Sequence, residues 1–233
     1  MVESIMATRK TSFIVGEYYH IYNRGVDQRI IFHDENDTDR FFRGMSEFNT
    51  LNPIGSIYEN SFNRQLGSLT PKLTKSKRLV NFVAYCLNPN HYHFILTPLV
   101  ENGIEKFMQR LGTGHTNYFN NKYHRNGSLF QGTYKSIHID TNEYLLHLSV
   151  YVNLNDRVHQ LGSLTPKLVK SRSSWVEYLR LNIKEKEKEF CEKDIILDQF
   201  KNKKEYQEFA ESSLESILER KADLEDLEKF LLE

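Results

Sequence analysis

The stretch "RLVNFVAYCLNPNHYHFILTPL" (78–99) decides the architecture. Two apolar runs rich in β-branched and aromatic residues flank Asn88-Pro89-Asn90, a turn by composition, so the stretch reads as two strands of an antiparallel hairpin. Side chains alternate along a strand, so His91 and His93 project from one face and Tyr92 from the other. Two imidazoles side by side suit a borderline divalent ion and leave positions for a third protein ligand and for substrate oxygens. The same spacing also arises in strands with no ligand role, so it does not decide the matter alone.

Working outward, "EYYHIYNRG" (17–25) reads as a first strand ended by Gly25, and "DENDTDRFFRGMSEFNTL" (34–51) as a helix opened by acidic residues. The segment 52–77, full of Asn, Gly, Ser, Pro and Lys, reads as loop. After the hairpin, 103–123 keeps a helical period that the Gly112–Gly114 pair is expected to loosen midway. Residues 125–140 read as a turn, an exposed Phe130-Gln131-Gly132 corner and a strand. Then 141–155 begins with a Thr141-Asn142-Glu143 start signal and carries a helical apolar pattern. The order strand, helix, strand, strand, helix, strand, helix predicts an α+β fold, a ferredoxin-like antiparallel sheet with helices on one side.

At 233 residues, with 39% hydrophobic and 27% charged residues, the chain has the composition of a folded protein and not of a disordered or collagen-like one. Residues 1–180 are expected to form the main domain, with insertions near 62–78 and 160–172, and 181–233 an acidic helical extension. The insertions share a repeat, "QLGSLTPKLTKSK" (65–77) and "QLGSLTPKLVKSR" (160–172), with no flanking similarity, which fits two insertions of one short segment better than a duplicated domain. The zero net charge conceals an asymmetry. The extension holds ten Lys/Arg against sixteen Asp/Glu, leaving about +6 on the rest, a balance compatible with phosphate contact or with an ordinary mixed surface. Lys106, Arg110, Lys122 and Arg125 lie along the second helix as candidate phosphate contacts. No signal peptide and no run of about 18 apolar residues is visible, so the expectation is a cytoplasmic protein with no membrane partner. Cys86 and Cys191 have no framework spacing and read as a buried thiol and an incidental one.

On the last predicted helix, Tyr151 and Asn155 are four apart and share a face. Asn155 is placed to complete a ligand set with His91 and His93, and Tyr151 to act as a nucleophile. An amphipathic helix also uses tyrosine as a core residue, so the pattern leaves both roles open.

"EYYHIYNRGVDQRIIF" (17–32), "YCLNPNHYHFIL" (85–96), "FMQRLGTGHTNYFNNKYHRNGSLFQGTYKSI" (107–137) and "EYLLHLSVYVNLN" (143–155), in this order, resemble the REP-associated branch of the single-tyrosine HUH transposases over roughly residues 13–180. The resemblance implies Tyr151 as nucleophile and His91, His93 and Asn155 as ligands of Mg²⁺ or Mn²⁺. The implied reaction is cleavage and rejoining of single-stranded DNA beside a hairpin through a 5′-phosphotyrosine, by a monomer or homodimer. His20, Asn23, Arg24, Gln131 and Lys135 fall at motif positions that would hold DNA. Asp156 stands where the family has proline, which removes a helix stop and adds a carboxylate near the site. A replication initiator or relaxase of the same class, or a binding module without catalysis, are the competing readings. No Gly-rich phosphate loop accompanies the chain as a helicase partner would.

Overall fold

The computed structural model describes residues 12–65, 78–159, 169–179 and 189–230. Its centre is a five-stranded antiparallel sheet, with β1 at Tyr18–Arg24, β2 at Val80–Asn88, β3 at His91–Pro98, β4 at Lys135–Ile139 and β5 at Arg172–Ser173. The spatial order is β4-β1-β3-β2-β5. β2 and β3 form the expected hairpin, with Asn88 opposite His91 across the Pro89-Asn90 turn. Strand β1 lies on the other side of β3 and sets Tyr22 opposite His93. Helices α1 (Glu35–Glu47) and α3 (Gly103–Lys122) link the strands in the sequence expected, so the first four strands have the ferredoxin-like arrangement and β5 is an added edge.

Helices cover both faces, where the sequence reading placed them on one. Tyr19, Ile21, Phe82, Tyr92, Phe94 and Leu96 join Phe41, Met45, Phe107 and Leu111 of α1 and α3 in one core. Val83, Ala84, Cys86 and Ile95 join Leu145, Leu148 and Val152 of α4 (Asn142–Asn153) in a second core on the opposite face. A bulge between Phe82 and Ala84 shifts the register of β2 against β3 there. α6 (Trp175–Leu179) and α8 (Lys203–Phe230) contribute Tyr178, Tyr206 and Ala210 to the second core, so the C-terminal extension packs on the domain through α4. Between them lies the one-turn helix α7 (Asp194–Leu197). No helix among the described residues is long and apolar enough to cross a membrane.

Other local expectations need correcting. A helix, α2 (Ile57–Gln65), occupies part of the predicted loop. Its start is a capping box: the Glu59 amide donates to Ser56 Oγ (3.0 Å), and the Ser56 amide donates back to Glu59 Oε2 (2.8 Å). α3 runs unbroken through its glycines. A Cβ at Gly114 would stand 2.6 Å from the Phe48 ring, so this glycine serves close packing against the end of α1 instead of loosening the helix. Phe130 is buried, and only Gln131 and Gly132 of the corner are exposed. Both cysteines are free, and Cys191 is buried in the first core, not incidental to the surface. The repeats fall mostly on 66–77 and 160–168, outside the described residues.

Candidate active site

Strand alternation turns His91, His93 and Ile95 toward α4, while Tyr92, Phe94 and Leu96 enter the opposite core. α4 is held over the histidines from both ends. Thr141 Oγ1 caps its start by accepting from the Tyr144 amide (3.2 Å). At its end, Leu154 leaves helical geometry (φ −113°, ψ 21°), and the chain resumes at once as the one-turn helix α5 (Asn155–Val158). Asp156 thus lies in the first turn of α5, just past the break at Leu154.

These elements bring Tyr151, His91, His93 and Asn155 together. The Tyr151 ring meets His93 edge-on with centroids 5.5 Å apart, and the His91 and His93 rings lie 5.2 Å apart. Asn155 is fully buried, with its Oδ1 3.0 Å from His91 Nε2. Hydrogen bonds fix which nitrogen of His91 carries the proton. Asn90 donates through Nδ2 to the Gln28 carbonyl (3.3 Å), which turns its Oδ1 toward His91 Nδ1 (2.6 Å), so Nδ1–H is the donor and Nε2 keeps its lone pair. Asn88, also fully buried, donates through Nδ2 to both His91 Nε2 (2.8 Å) and Asn155 Oδ1 (2.7 Å). Two lone pairs therefore converge on the Asn88 amide, whose two hydrogen bonds a cation bound there would replace.

That donor set fits a small divalent ion: neighbouring ligands about 2.1 Å from an octahedral centre stand about 3 Å apart, as these two atoms do. Among the described residues no group of three or more His, Cys, Asp or Glu side chains is placed to hold an ion. Asp156 accordingly does not join the imidazoles, and the side-chain oxygen beside His91 is that of the Asn155 amide.

Burial sets the protonation of the site. It lowers the His91 and His93 pKa values, His93 to well below the usual range with further help from His20, His91 and His159, while the hydrogen bond that a protonated His91 would donate to Asn155 opposes the fall at His91. His20 and His159 are each lowered to about 4, chiefly by burial. All four rings are thus neutral at pH 7, the form that binds metals. Burial raises the Tyr151 pKa, and the adjacent Asn155 side chain opposes that rise. Asn155 Nδ2 is buried beside the phenol, with no other hydrogen-bond partner among the described residues.

The residues expected to hold DNA divide. His20 is not on the surface: it is buried, and its Nε2 lies 2.9 Å from His93 Nδ1. Asn23 is likewise committed, donating through Nδ2 to the Gly132 carbonyl (3.2 Å) and accepting at Oδ1 from the Arg24 amide (2.9 Å). Arg24 and Gln131 are exposed and hydrogen-bonded to each other, and Lys135 is exposed at the start of β4. The basic stripe of α3 sits on the far face of the sheet from Tyr151. There Lys122 is paired with Asp34 and Asp37 (both 2.7 Å), and Arg110 donates to the Thr50 carbonyl (2.6 Å), so both hold the fold together. Arg125 bonds Asn120 (3.2 Å) and lies over Phe119, while Lys106 is exposed.

Sequence reasoning missed Asn88, Asn90 and His159, whose ring is 5.2 Å from His91. Asn88 and Asn90 stand in the very turn that suggested the hairpin, where turn propensity was a sufficient reason for both. Also missed was the buried polar tie under α4: Asn153 donates to Tyr206 Oη (3.2 Å) and accepts from Ser174 Oγ (2.6 Å), which in turn accepts from the Tyr85 amide (2.9 Å).

The family model described as "Transposase IS200 like" matches residues 56–155, which span α2 through the first residue of α5 and include every candidate ligand and Tyr151. Among solved structures, one described as a REP-associated tyrosine transposase bound to a REP hairpin is similar at 13% identity, over 66% of this chain and 74% of that one, with a TM-score of 0.41. No curated protein matches the chain. The segment 56–155, with its paired histidines, tyrosine and asparagine, is thus similar to the IS200-like transposases over somewhat less than half of the chain.

Proposed function

We propose that the chain cleaves and rejoins single-stranded DNA beside hairpins, with Tyr151 as the nucleophile. The observation that carries this reading is the convergence on one face of the sheet of a phenol, two neutral imidazoles and an amide oxygen, supplied by β3 and by the α4–α5 junction. His91 and His93 through Nε2, with Asn155 through Oδ1, would hold Mg²⁺ or Mn²⁺. When bound, the cation supplies Lewis-acid polarisation of the scissile phosphate.

The chain's own groups account for the rest. Tyr151 Oη loses its proton and bonds to phosphorus; the P–O3′ bond breaks, and the departing 3′ oxygen gains a proton. The products are a 5′-phosphotyrosine and a free 3′-OH, and attack by a 3′-OH on the phosphotyrosine reverses the step without nucleotide hydrolysis. A buried phenol resists ionisation, and the Asn155 side chain next to it, whose hydrogen bond lowers the Tyr151 pKa, is a donor suited to the developing negative charge. Exposed Arg24, Gln131 and Lys135, at the ends of β1 and β4 on the histidine side of the hairpin turn, are the proposed DNA contacts.

The test incubates the full chain and Mn²⁺ with single-stranded hairpin oligonucleotides from the gene's own flanks and resolves products on a denaturing gel. A DNA–protein adduct formed by the wild type and absent in Tyr151→Phe is the expected result. An adduct that persists in Tyr151→Phe, or DNA bound by the wild type with no adduct on any oligonucleotide, overturns the proposal.

A further inference from the structure

His20 is a fully enclosed histidine that the reaction as written does not use. It stands on β1 two residues before Tyr22, on the same face as His93, and is 4% exposed. Its ring stacks on Tyr22 (centroids 4.9 Å apart) and on His93 (5.1 Å), and its Nε2 lies 2.9 Å from His93 Nδ1. Packing alone does not call for this residue, because a phenylalanine would fill the same stack without burying two ring nitrogens. His20 Nδ1 is moreover buried with no hydrogen-bond partner among the described residues, a cost that marks a buried polar group as kept for a purpose.

The relation at His91 indicates the purpose. There Asn90 Oδ1 accepts from Nδ1–H and leaves Nε2 as a lone pair facing Asn155. At His93 the corresponding Nδ1 is engaged by His20, which leaves Nε2 as the ring nitrogen free of that contact. We propose that His20 is a positioning residue for His93: it accepts a hydrogen bond from His93 Nδ1–H, which fixes the ring's orientation and the tautomer that presents Nε2 to a divalent cation. Partners of this kind hold metal-binding histidines generally, and they act through the ligand without touching the substrate. The usual partner is a carboxylate or a carbonyl; here it is a second imidazole, kept neutral by the same burial that keeps His93 neutral. This inference rests on the cation site proposed above.

The experiment measures Mn²⁺ binding to the full chain by the loss of the free-ion paramagnetic resonance signal, without DNA. Wild type, His91→Ala, His20→Phe and His20→Gln are compared, each checked for native circular dichroism. His20→Phe keeps the ring stack and has no acceptor, whereas His20→Gln restores one. The expected result is binding by the wild type, about 10–100-fold weaker binding by His20→Phe, and recovery of most of that loss by His20→Gln. Equal affinity of His20→Phe and wild type overturns the role of His20 while leaving the cation site intact. A wild type that binds no more Mn²⁺ than His91→Ala removes the site itself, and this proposal with it. In the Mg²⁺-loaded wild type, ¹⁵N-resolved NMR gives an answer independent of substitutions: a proton on His93 Nδ1 supports the assignment, and one on Nε2 overturns it.

Discussion

The two faces of β3 differ by a single step of register and by almost everything else. Tyr92, Phe94 and Leu96 enter an aromatic core under α1 and α3, where Phe41 and Phe82 lie against Phe94. His91 and His93 emerge on the other side beneath α4, among amides, imidazoles and phenols. One face is shape and the other is chemistry. The lesson is that a strand buried on both sides can divide the two tasks, the apolar face stabilising a backbone whose opposite face carries costly buried polar groups.

The largest expected effect breaks the comparison from the apolar side. Phe94→Ala should cost about 3–5 kcal/mol of stability, from lost transfer energy and the cavity left behind, measured as a shift in urea midpoint. Tyr151→Phe, on the other face, should shift that midpoint little while abolishing the adduct. Near-equal destabilisation by the two would mean that the faces are not divided in this way.

Acid sharpens the contrast. His20 on the polar face and His115 in the aromatic core are both lowered to about 4, mainly by burial, and the unfolded chain binds their protons near the ordinary value of 6.5. Each therefore contributes stability above pH 6.5 that is lost as pH falls through the window from 6.5 to 4. Between pH 7 and 5 that amounts to roughly 1–2 kcal/mol for each ring. His115→Phe should flatten the pH dependence of the urea midpoint by one ring's share; an unchanged slope would contradict the burial argument.

A smaller effect lies beneath α4. Tyr206→Phe removes the oxygen that accepts from Asn153 and shares a hydrogen bond with Ser149, at about 1–2 kcal/mol for the groups left unsatisfied. Amide hydrogen exchange should accelerate along α4 and α8 and remain unchanged in α1 and α3. Smallest is Ser56→Ala, which removes one half of the α2 capping box for about 1 kcal/mol, with faster exchange confined to that helix.

How far the fold was legible depends on the element. The hairpin, α1, α3 and α4 announced themselves through turn residues and apolar period, whereas the Tyr151–Asn155 spacing indicated only a shared helical face and their roles came from the family resemblance. α2 was obscured because Asn, Ser and Gly dominate its surroundings, although Ser56-x-x-Glu59 was a start signal in plain view. The second helical layer had a signal too. "FVAYCL" (82–87) and "FIL" (94–96) are unbroken apolar runs, which mark strands covered on both faces, whereas a strand with one wet face alternates. The role of His20 had none, since a strand histidine carries no mark in sequence of the distant ring it will meet across the sheet.

The wedging of α4 between the sheet and α8 has a kinetic consequence. Phenol, imidazoles and amide come from one polypeptide in this structure, and the prediction is that they work as one set within a chain. Turnover per molecule at saturating DNA should then stay constant as the protein is diluted, and wild type mixed with a large excess of Tyr151→Phe chains should lose none of its first-turnover rate.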